Sequence, residues 1–68
     1  MSEQYEYQPH RLLRKRVQDI ASGVEGELMA VITEDVSDTG IERWADLAYI
    51  RDGSGREFTT TVDNVQPV

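Results

Sequence analysis

Few residues of this 68-residue chain have the types and spacing that catalysis requires. The single histidine, His10, has no plausible catalytic partner, so we expect a solvated side chain rather than a general base. The four serines lie in contexts typical of tails and turns: Ser2, Ser22, Ser37 and Ser54. A chain of this length also has little room for an enclosed substrate pocket. We therefore expect a protein that is not an enzyme and that uses no cofactor.

A pair of glycines has part of the pattern of a phosphate-binding loop. Gly23 and Gly26 form a G-x-x-G step that runs into an apolar segment. Glu25 lies inside the step and Glu27 follows it, so two carboxylates would confront a bound phosphate. We therefore interpret the step as a structural corner, at which Gly23 permits a turn and Gly26 a close approach between strands.

The acidic stretch at residues 35–46 has part of the pattern of a calcium loop. A glycine stands at its sixth position, but the stretch lacks the final glutamate and the full carboxylate set of such loops. The chain contains no cysteine, so it has neither thiolate metal sites nor disulfides. We expect a solvated loop and no metal site.

The charge of the chain is unevenly distributed. The formal net charge is −6, yet four of the seven basic residues lie within six positions: Arg11, Arg14, Lys15 and Arg16. The rest of the chain beyond them carries three basic residues against eleven acidic ones. Because an extended nucleic-acid footprint needs a basic face, we expect these four residues to be balanced by nearby carboxylates. The alternative is that they bind nucleic acid or an acidic partner.

The first part of the chain is polar and ambiguous in structure. Residues 1–10 show no periodicity, which predicts a flexible tail before a single domain at residues 11–68. Residues 11–21 are compatible with a helix or with a first strand over residues 16–21. The apolar residues that fit a helical stripe are Leu13, Val17 and Ile20. No segment has the apolar character of a signal peptide or a membrane span, so we expect a cytoplasmic protein without membrane contact.

The remaining chain has the composition and alternation of short strands. These strands are predicted at residues 27–33, 42–51, 56–62 and 65–68. The first is apolar on both faces, with Leu28, Ala30 and Ile32 on one and Met29 and Val31 on the other. A D-G-S-G sequence between the second and third strands is typical of a hairpin. Short connections force antiparallel pairing, so we expect an all-β protein closed into a small barrel of four to five strands.

Two stretches resemble parts of known small barrels. "RVQDIASGVEGELMAV" is similar to the opening hairpin of SH3-like barrels of the KOW and Tudor type, and "FTTTVDNVQPV" is similar to their ending. More closely, the chain resembles, over about residues 16–68, a group of small acidic bacterial proteins of unassigned function. The matching positions are Asp19, Gly26, Glu27, Met29, Tyr49, Arg51, Gly55, Arg56, Glu57 and Pro67. In this chain Phe58 replaces a tryptophan of that pattern and Ser54 a glycine. The resemblance implies an SH3-like barrel with a strand over residues 16–21, and it brings no known activity.

Aromatic residues near carboxylates are the best candidates for a contact surface, because SH3-like barrels can line peptide grooves in this way. The candidate partner-binding residues are Trp44, Tyr49, Asp46 and Glu42. Phe58 is expected in the core. We therefore expect a noncatalytic interaction module with a protein partner, and the alternative is a nucleic-acid-associated barrel that uses the basic residues 11–16. A monomer and a homodimer both stay open, since an exposed edge strand can pair.

Overall fold

Within residues 5–35 and 43–68, which this computed structural model describes, the chain forms six β-strands and one turn of 3-10 helix. The strands are β1 (Tyr5–Gln8), β2 (Arg16–Asp19), β3 (Glu25–Asp35), β4 (Trp44–Asp52), β5 (Glu57–Thr61) and β6 (Val65–Pro67). The 3-10 turn, Val62–Asn64, joins the last two strands. The prediction of an all-β protein is confirmed.

The strands form one antiparallel sheet in the order β5-β4-β3-β2-β6. The long strand β3 organises this sheet, because β4 pairs along one of its edges while β2 and β1 share the other. β2 pairs with residues 25–27 and β1 with residues 31–34. The outermost strands, β5 and β6, are separated in the chain only by the 3-10 turn, so the sheet must curve until its two ends lie close together.

A hydrogen-bond network joins β5 and the 3-10 turn to β2, the strand next to the outermost β6. Thr60 Oγ1 of β5 donates a hydrogen bond of 2.9 Å to Asp19 Oδ1 of β2, and Asn64 Nδ2 donates to Thr60 Oγ1 at 3.0 Å. Beside them, the amide of Ile20 donates to the carbonyl of Asn64 at 2.9 Å. Among the strands of the described residues, β5 and β6 do not pair with each other, so the sheet is not closed.

Strand β1 corrects the prediction of a flexible tail over residues 1–10. Tyr5 to Gln8 pair with β3, whereas residues 1–4 lie outside the described part of the chain. Two tyrosines alternate with polar residues here, a pattern with the period of a strand. The tertiary fold supplies the partner, because β2 pairs only with residues 25–27 and leaves most of this edge of β3 available. The sheet consequently has six strands instead of four to five.

The ambiguous segment after Pro9 contains turns followed by a strand. Backbone hydrogen bonds from Leu13 to His10 and from Lys15 to Leu12 close two successive turns, and β2 begins at Arg16. Leu12 is buried in the core, which anchors the turns to the sheet. The alternative of a first strand is confirmed over Arg16–Asp19, and the helical alternative is wrong.

A β-bulge in β3 changes which of its side chains enter the core. The register with β4 shifts between Leu28 and Ala30, so the alternation of faces reverses at that point. Leu28 and Val31 are therefore both buried, although the sequence predicted them on opposite faces. The face assignment over residues 27–33 was wrong because an uninterrupted period of two cannot reveal an inserted residue.

The core is a small cluster on the inner side of the curved sheet. Its buried apolar residues are Leu12, Val17, Leu28, Val31, Ala48 and Ile50. Phe58 packs against this cluster, as predicted. Gly26 permits the close packing of β3 on β4, because a Cβ at this position would lie 2.3 Å from the carbonyl oxygen of Arg51. Gly23 has a φ of +80°, so both glycines serve the structural corner that the sequence predicted.

Candidate functional site

The alternation of side chains along β4 separates residues that the sequence grouped into one site. Trp44 and Asp46 lie on the same side of the sheet as the core residue Ala48, beyond the end of the core. Tyr49 lies on the opposite, outer side. Glu42, the fourth predicted residue, is outside the described residues. The predicted partner-binding residues therefore belong to two different surfaces.

The first surface, here named the Trp44 surface, consists of Glu6, Thr33, Trp44 and Asp46. Strand pairing places Glu6, Thr33 and Asp46 in one row across β1, β3 and β4. Trp44 stands beside this row with 51% of its surface exposed. An open groove of about 480 Å³ runs between Trp44, Thr33 and the residues of β1. The surface thus combines an aromatic ring with two carboxylates.

The carboxylates of the Trp44 surface are not neutralised by neighbouring cations. Thr33 Oγ1 donates a hydrogen bond of 2.6 Å to Asp46 Oδ1, and Gln8 Nε2 donates one of 3.1 Å to Glu6 Oε1. Both donors are uncharged, and neither carboxylate forms an ion pair with the chain over residues 5–35 and 43–68. The surface therefore presents negative charge next to an accessible ring.

The second surface, here named the tyrosine groove, consists of Tyr5, Tyr7, Ile32, Glu34 and Tyr49 on the outer side of the sheet. The register pairs Tyr5 with Glu34 and Tyr7 with Ile32. The rings of Tyr5 and Tyr7 meet edge to face, with their centroids 6.0 Å apart. These residues line an open groove of about 430 Å³.

A hydrogen bond within the tyrosine groove ties β4 to β3. The hydroxyl of Tyr49 donates to Glu34 Oε1. This bond, together with partial burial and the negative charge of Glu34, raises the pKa of Tyr49 to about 12. Tyr49 consequently stays protonated as a donor and holds the carboxylate in place at the side of the groove.

Two of the four residues of the predicted basic cluster pair with carboxylates of β3. Arg14 Nη1 lies 3.9 Å from Glu27 Oε2, and Arg16 Nε lies 3.3 Å from Glu25 Oε1. Arg11 and Lys15 are exposed on the same segment. These contacts agree with the interpretation that the cluster flanks the first strand and is neutralised locally. Elsewhere on the outer face, Arg51 Nη2 lies 3.0 Å from Glu57 Oε2.

The buried carboxylate of Asp19 has a structural role. It accepts hydrogen bonds from Ser22 Oγ at 2.7 Å, from Thr60 Oγ1 at 2.9 Å and from the amide of Ala21 at 3.3 Å. The bond from Ser22, with the others, lowers the pKa of Asp19 below its usual value of 3.8 against the opposing effect of burial. These donors hold the carboxylate between β5 and the turn that follows β2.

His10 also makes a local structural contact. Its Nδ1 accepts a hydrogen bond of 3.1 Å from the amide of Leu12, and the residue is half-buried instead of solvated. No group of three or more potential metal ligands occurs among the described residues, and most of the acidic stretch at 35–46 lies outside them. The described segments also contain no helix with the length and apolar character needed to cross a membrane.

Comparison of the chain with protein-family models, with curated proteins and with solved structures found no match.

Sequence reasoning missed the contribution of β1 to both surfaces. Tyr5 and Tyr7 point to one side of the sheet and Glu6 to the other. The alternating Tyr-Glu-Tyr-Gln pattern could have indicated a strand, but four residues before a proline are too short for a firm assignment. Glu34 was missed because its role depends on Tyr49, which lies 15 residues later.

Proposed function

We propose that this protein is a noncatalytic interaction module, an SH3-like small barrel that binds a protein partner through the Trp44 surface. One observation carries the proposal: Trp44 is half-exposed beside the carboxylates of Glu6 and Asp46, which form no ion pair within the described residues. An exposed tryptophan supplies a large rigid contact area, and flanking carboxylates attract a basic polypeptide segment. The partner segment is therefore expected to carry lysine or arginine.

The order of the strands supports the barrel part of the proposal. The chain runs through β2, β3, β4 and β5 as consecutive antiparallel neighbours, crosses the 3-10 turn, and returns as β6 beside β2. This path agrees with the resemblance of the sequence to SH3-like barrels, in which a helical turn precedes a short last strand. The Asp19–Thr60 hydrogen bond brings β5 across to β2, the neighbour of the last strand β6, which is the curvature that a small barrel requires.

The ion pairs favour a protein partner over nucleic acid. A nucleic-acid interface requires cations free to neutralise phosphates. Arg14, Arg16 and Arg51 each lie within ion-pair distance of a glutamate, and the three glutamates add negative charge beside them. The other four cations, Arg11, Lys15, Arg43 and Arg56, belong to three separate segments of a chain whose net charge is −6.

A pair of titrations tests this proposal, since Trp44 is the only tryptophan and its fluorescence reports on its own surface. Unstructured peptides rich in lysine and arginine are added to the protein at low salt, and short duplex DNA and single-stranded RNA are added in parallel. We expect the peptides to change the Trp44 emission and the amide signals of β4, with little response to nucleic acid. Salt-sensitive shifts centred on Arg11–Arg16 with DNA or RNA would instead support the alternative.

Two variants distinguish the contribution of the tryptophan ring to binding from that of a carboxylate at this surface. Trp44→Ala and Asp46→Asn should each weaken peptide binding, as seen by amide shifts, because one removes the ring and the other a carboxylate. The matched control is Gln66→Ala, an exposed change on β6. Equal affinity for all three variants would contradict the assignment of this surface.

A further inference from the structure

The tyrosine groove is a second candidate binding surface, distinct from the Trp44 surface. It lies on the outer face of the sheet, and β1, β3 and β4 all contribute to it. Its volume of about 430 Å³ falls in the range of small ligand sites. The groove is open along one side, so it can admit a side chain from another polypeptide.

Aromatic rings form much of the groove wall. Tyr7 is 67% exposed and Tyr5 is 49% exposed, and both lie on β1, a strand of only four residues. The edge-to-face contact of the two rings restricts their orientations before any ligand binds. Tyrosine has only two side-chain torsions, so a partner that packs on these rings loses little conformational entropy in them. Ile32 provides an apolar base between the rings and β4.

The charge of the groove is unbalanced, which determines the sign of its ligand. Glu34 is half-buried, and the hydroxyl of Tyr49 donates to its Oε1. Within residues 5–35 and 43–68 no cation pairs with Glu34, and its Oε2 accepts no hydrogen bond. The Arg51–Glu57 ion pair at the far end of the groove is already neutral as a pair. A cationic group would therefore be favoured and an anionic one repelled.

The geometry points to an arginine side chain of the protein partner as the ligand of the tyrosine groove, with its guanidinium stacked on the tyrosine rings and donating to Glu34 Oε2. This inference rests on the proposed function, because it assigns a second contact to the same partner. A guanidinium is planar, weakly hydrated and able to stack while it donates hydrogen bonds sideways. An ammonium group is compact and strongly hydrated, so it stacks less favourably on the tyrosine rings. The raised pKa of Tyr49 is consistent with a hydroxyl that remains a donor to Glu34 Oε1 and leaves Oε2 for this contact.

Three matched peptides test the inference directly. Each has a neutral Gly/Ser background with one central residue, which is arginine, lysine or citrulline. Citrulline has the shape of arginine without the charge. Titrations of the intact protein are followed by NMR of the tyrosine rings and of the Trp44 indole. We expect the arginine peptide to shift the rings of Tyr5, Tyr7 and Tyr49, to bind several-fold more tightly than the lysine peptide, and to exceed citrulline by about tenfold.

Two carboxylate variants provide a matched pair. Glu34→Gln should weaken the arginine peptide by about tenfold, because it removes the charged acceptor. Glu25→Gln changes the same residue type on the same strand, about 30 Å away along β3, and should change affinity less than about twofold. Tyr7→Ala should weaken binding by about fivefold, and the dispersed amide spectrum of the variant shows whether it is folded.

Several results would overturn the inference. Equal binding of citrulline and arginine would exclude a charge-selective site, and equal effects of Glu34→Gln and Glu25→Gln would remove Glu34 from it. Peptide-induced shifts confined to the Trp44 indole would overturn the groove assignment and leave the proposed function intact. The absence of shifts at both the Trp44 surface and the tyrosine groove would contradict the groove assignment and the proposed function together. Self-association in sedimentation experiments that the Tyr7→Ala variant abolishes would instead identify a second copy of the chain as the occupant of the groove.

Discussion

The hydroxyl of Thr60 donates a hydrogen bond to the carboxylate of Asp19 across 41 residues of chain, at a distance of 2.9 Å. This bond joins β5, one outermost strand of the sheet, to β2, the neighbour of the other outermost strand, and no backbone ladder pairs β5 with β2 or β6 among the described residues. Ser22 and the amide of Ala21 satisfy the rest of the same carboxylate. The network therefore holds β5 against β2 and supports the curvature of the sheet.

We predict that Thr60→Val destabilises the protein by about 1–2 kcal/mol, because it leaves Asp19 and Asn64 each short of a hydrogen-bond partner without changing the shape of residue 60. Urea denaturation followed by circular dichroism measures the change. Thr61→Val is the control, since Thr61 is exposed on the same strand and its free energy of unfolding should change by less than about 0.5 kcal/mol. Equal losses in both variants would mean that the loss reflects the strand and not the network.

The Asp19 carboxylate predicts an acid-sensitive stability. Its pKa is lowered in the folded protein, so the unfolded chain binds the proton more readily and the free energy of unfolding falls as the pH drops below about 3.8. Asp19→Asn should flatten this fall while lowering stability at neutral pH by about 1–3 kcal/mol, because an amide cannot accept from all the donors. Urea denaturation from neutral pH to about pH 2 measures both effects.

Asp63→Asn serves as the control for that experiment, because Asp63 is an exposed carboxylate on the 3-10 turn. The Asp63→Asn variant should keep the acid-dependent loss of stability that the Asp19 carboxylate causes. Part of the acid dependence should persist even in Asp19→Asn, because the Ser54 hydroxyl holds the pKa of Asp52 low as well. An Asp19→Asn profile as steep as the original would contradict the prediction.

Gly26→Ala should destabilise the protein by about 1–3 kcal/mol. The added Cβ would meet the carbonyl oxygen of Arg51 at 2.3 Å and Ile50 Cγ2 at 2.9 Å, and the backbone of β4 cannot move without breaking its ladder. Gly53→Ala is the matched control, because a Cβ there has no heavy atom within 4 Å. We expect thermal or urea unfolding to show a loss of stability for Gly26→Ala and not for Gly53→Ala. An unchanged free energy of unfolding in Gly26→Ala would show that β3 and β4 have room to separate.

The titration of Tyr49 tests the central contact of the tyrosine groove. Its ring resonances should titrate near pH 12, and Glu34→Gln should bring the transition down toward the usual value of 10.0. Since the folded pKa is the higher one, this group stabilises the fold fully below about pH 10, and that stabilisation is lost as the pH rises toward 12. A transition unchanged by Glu34→Gln would show that the hydrogen bond does not determine it.

Removal of residues 1–8 should leave β2–β6 folded. β1 contributes no residue to the buried core, so its loss removes edge pairing without opening a cavity. We expect the shortened protein to keep the dispersed amide signals of β3 and β4 and to lose both the Trp44-surface and the tyrosine-groove responses to peptides in part. Global unfolding of the shortened protein would show instead that β1 is integral to the sheet.

Much of the strand content could be predicted from residue patterns alone. The regular alternation of β4 and β5 around a D-G-S-G hairpin is confirmed, as are the turn at Gly23 and the close approach at Gly26. These features follow from local chemistry: the side-chain period of a strand, the positive φ open to glycine and the absence of a Cβ. The charge distribution also favoured local pairing of the basic residues before the first strand, and two of the four, Arg14 and Arg16, lie near carboxylates of β3.

The candidate surfaces depended on contacts between distant parts of the chain. A bulge between Leu28 and Ala30 reversed the faces of β3, and the unpaired edge beyond it became the partner of β1. That pairing brought Tyr5 to Glu34 and Tyr7 to Ile32. Neither event has a local pattern, because register and edge pairing are determined by which side chains can be buried together once the whole sheet curves.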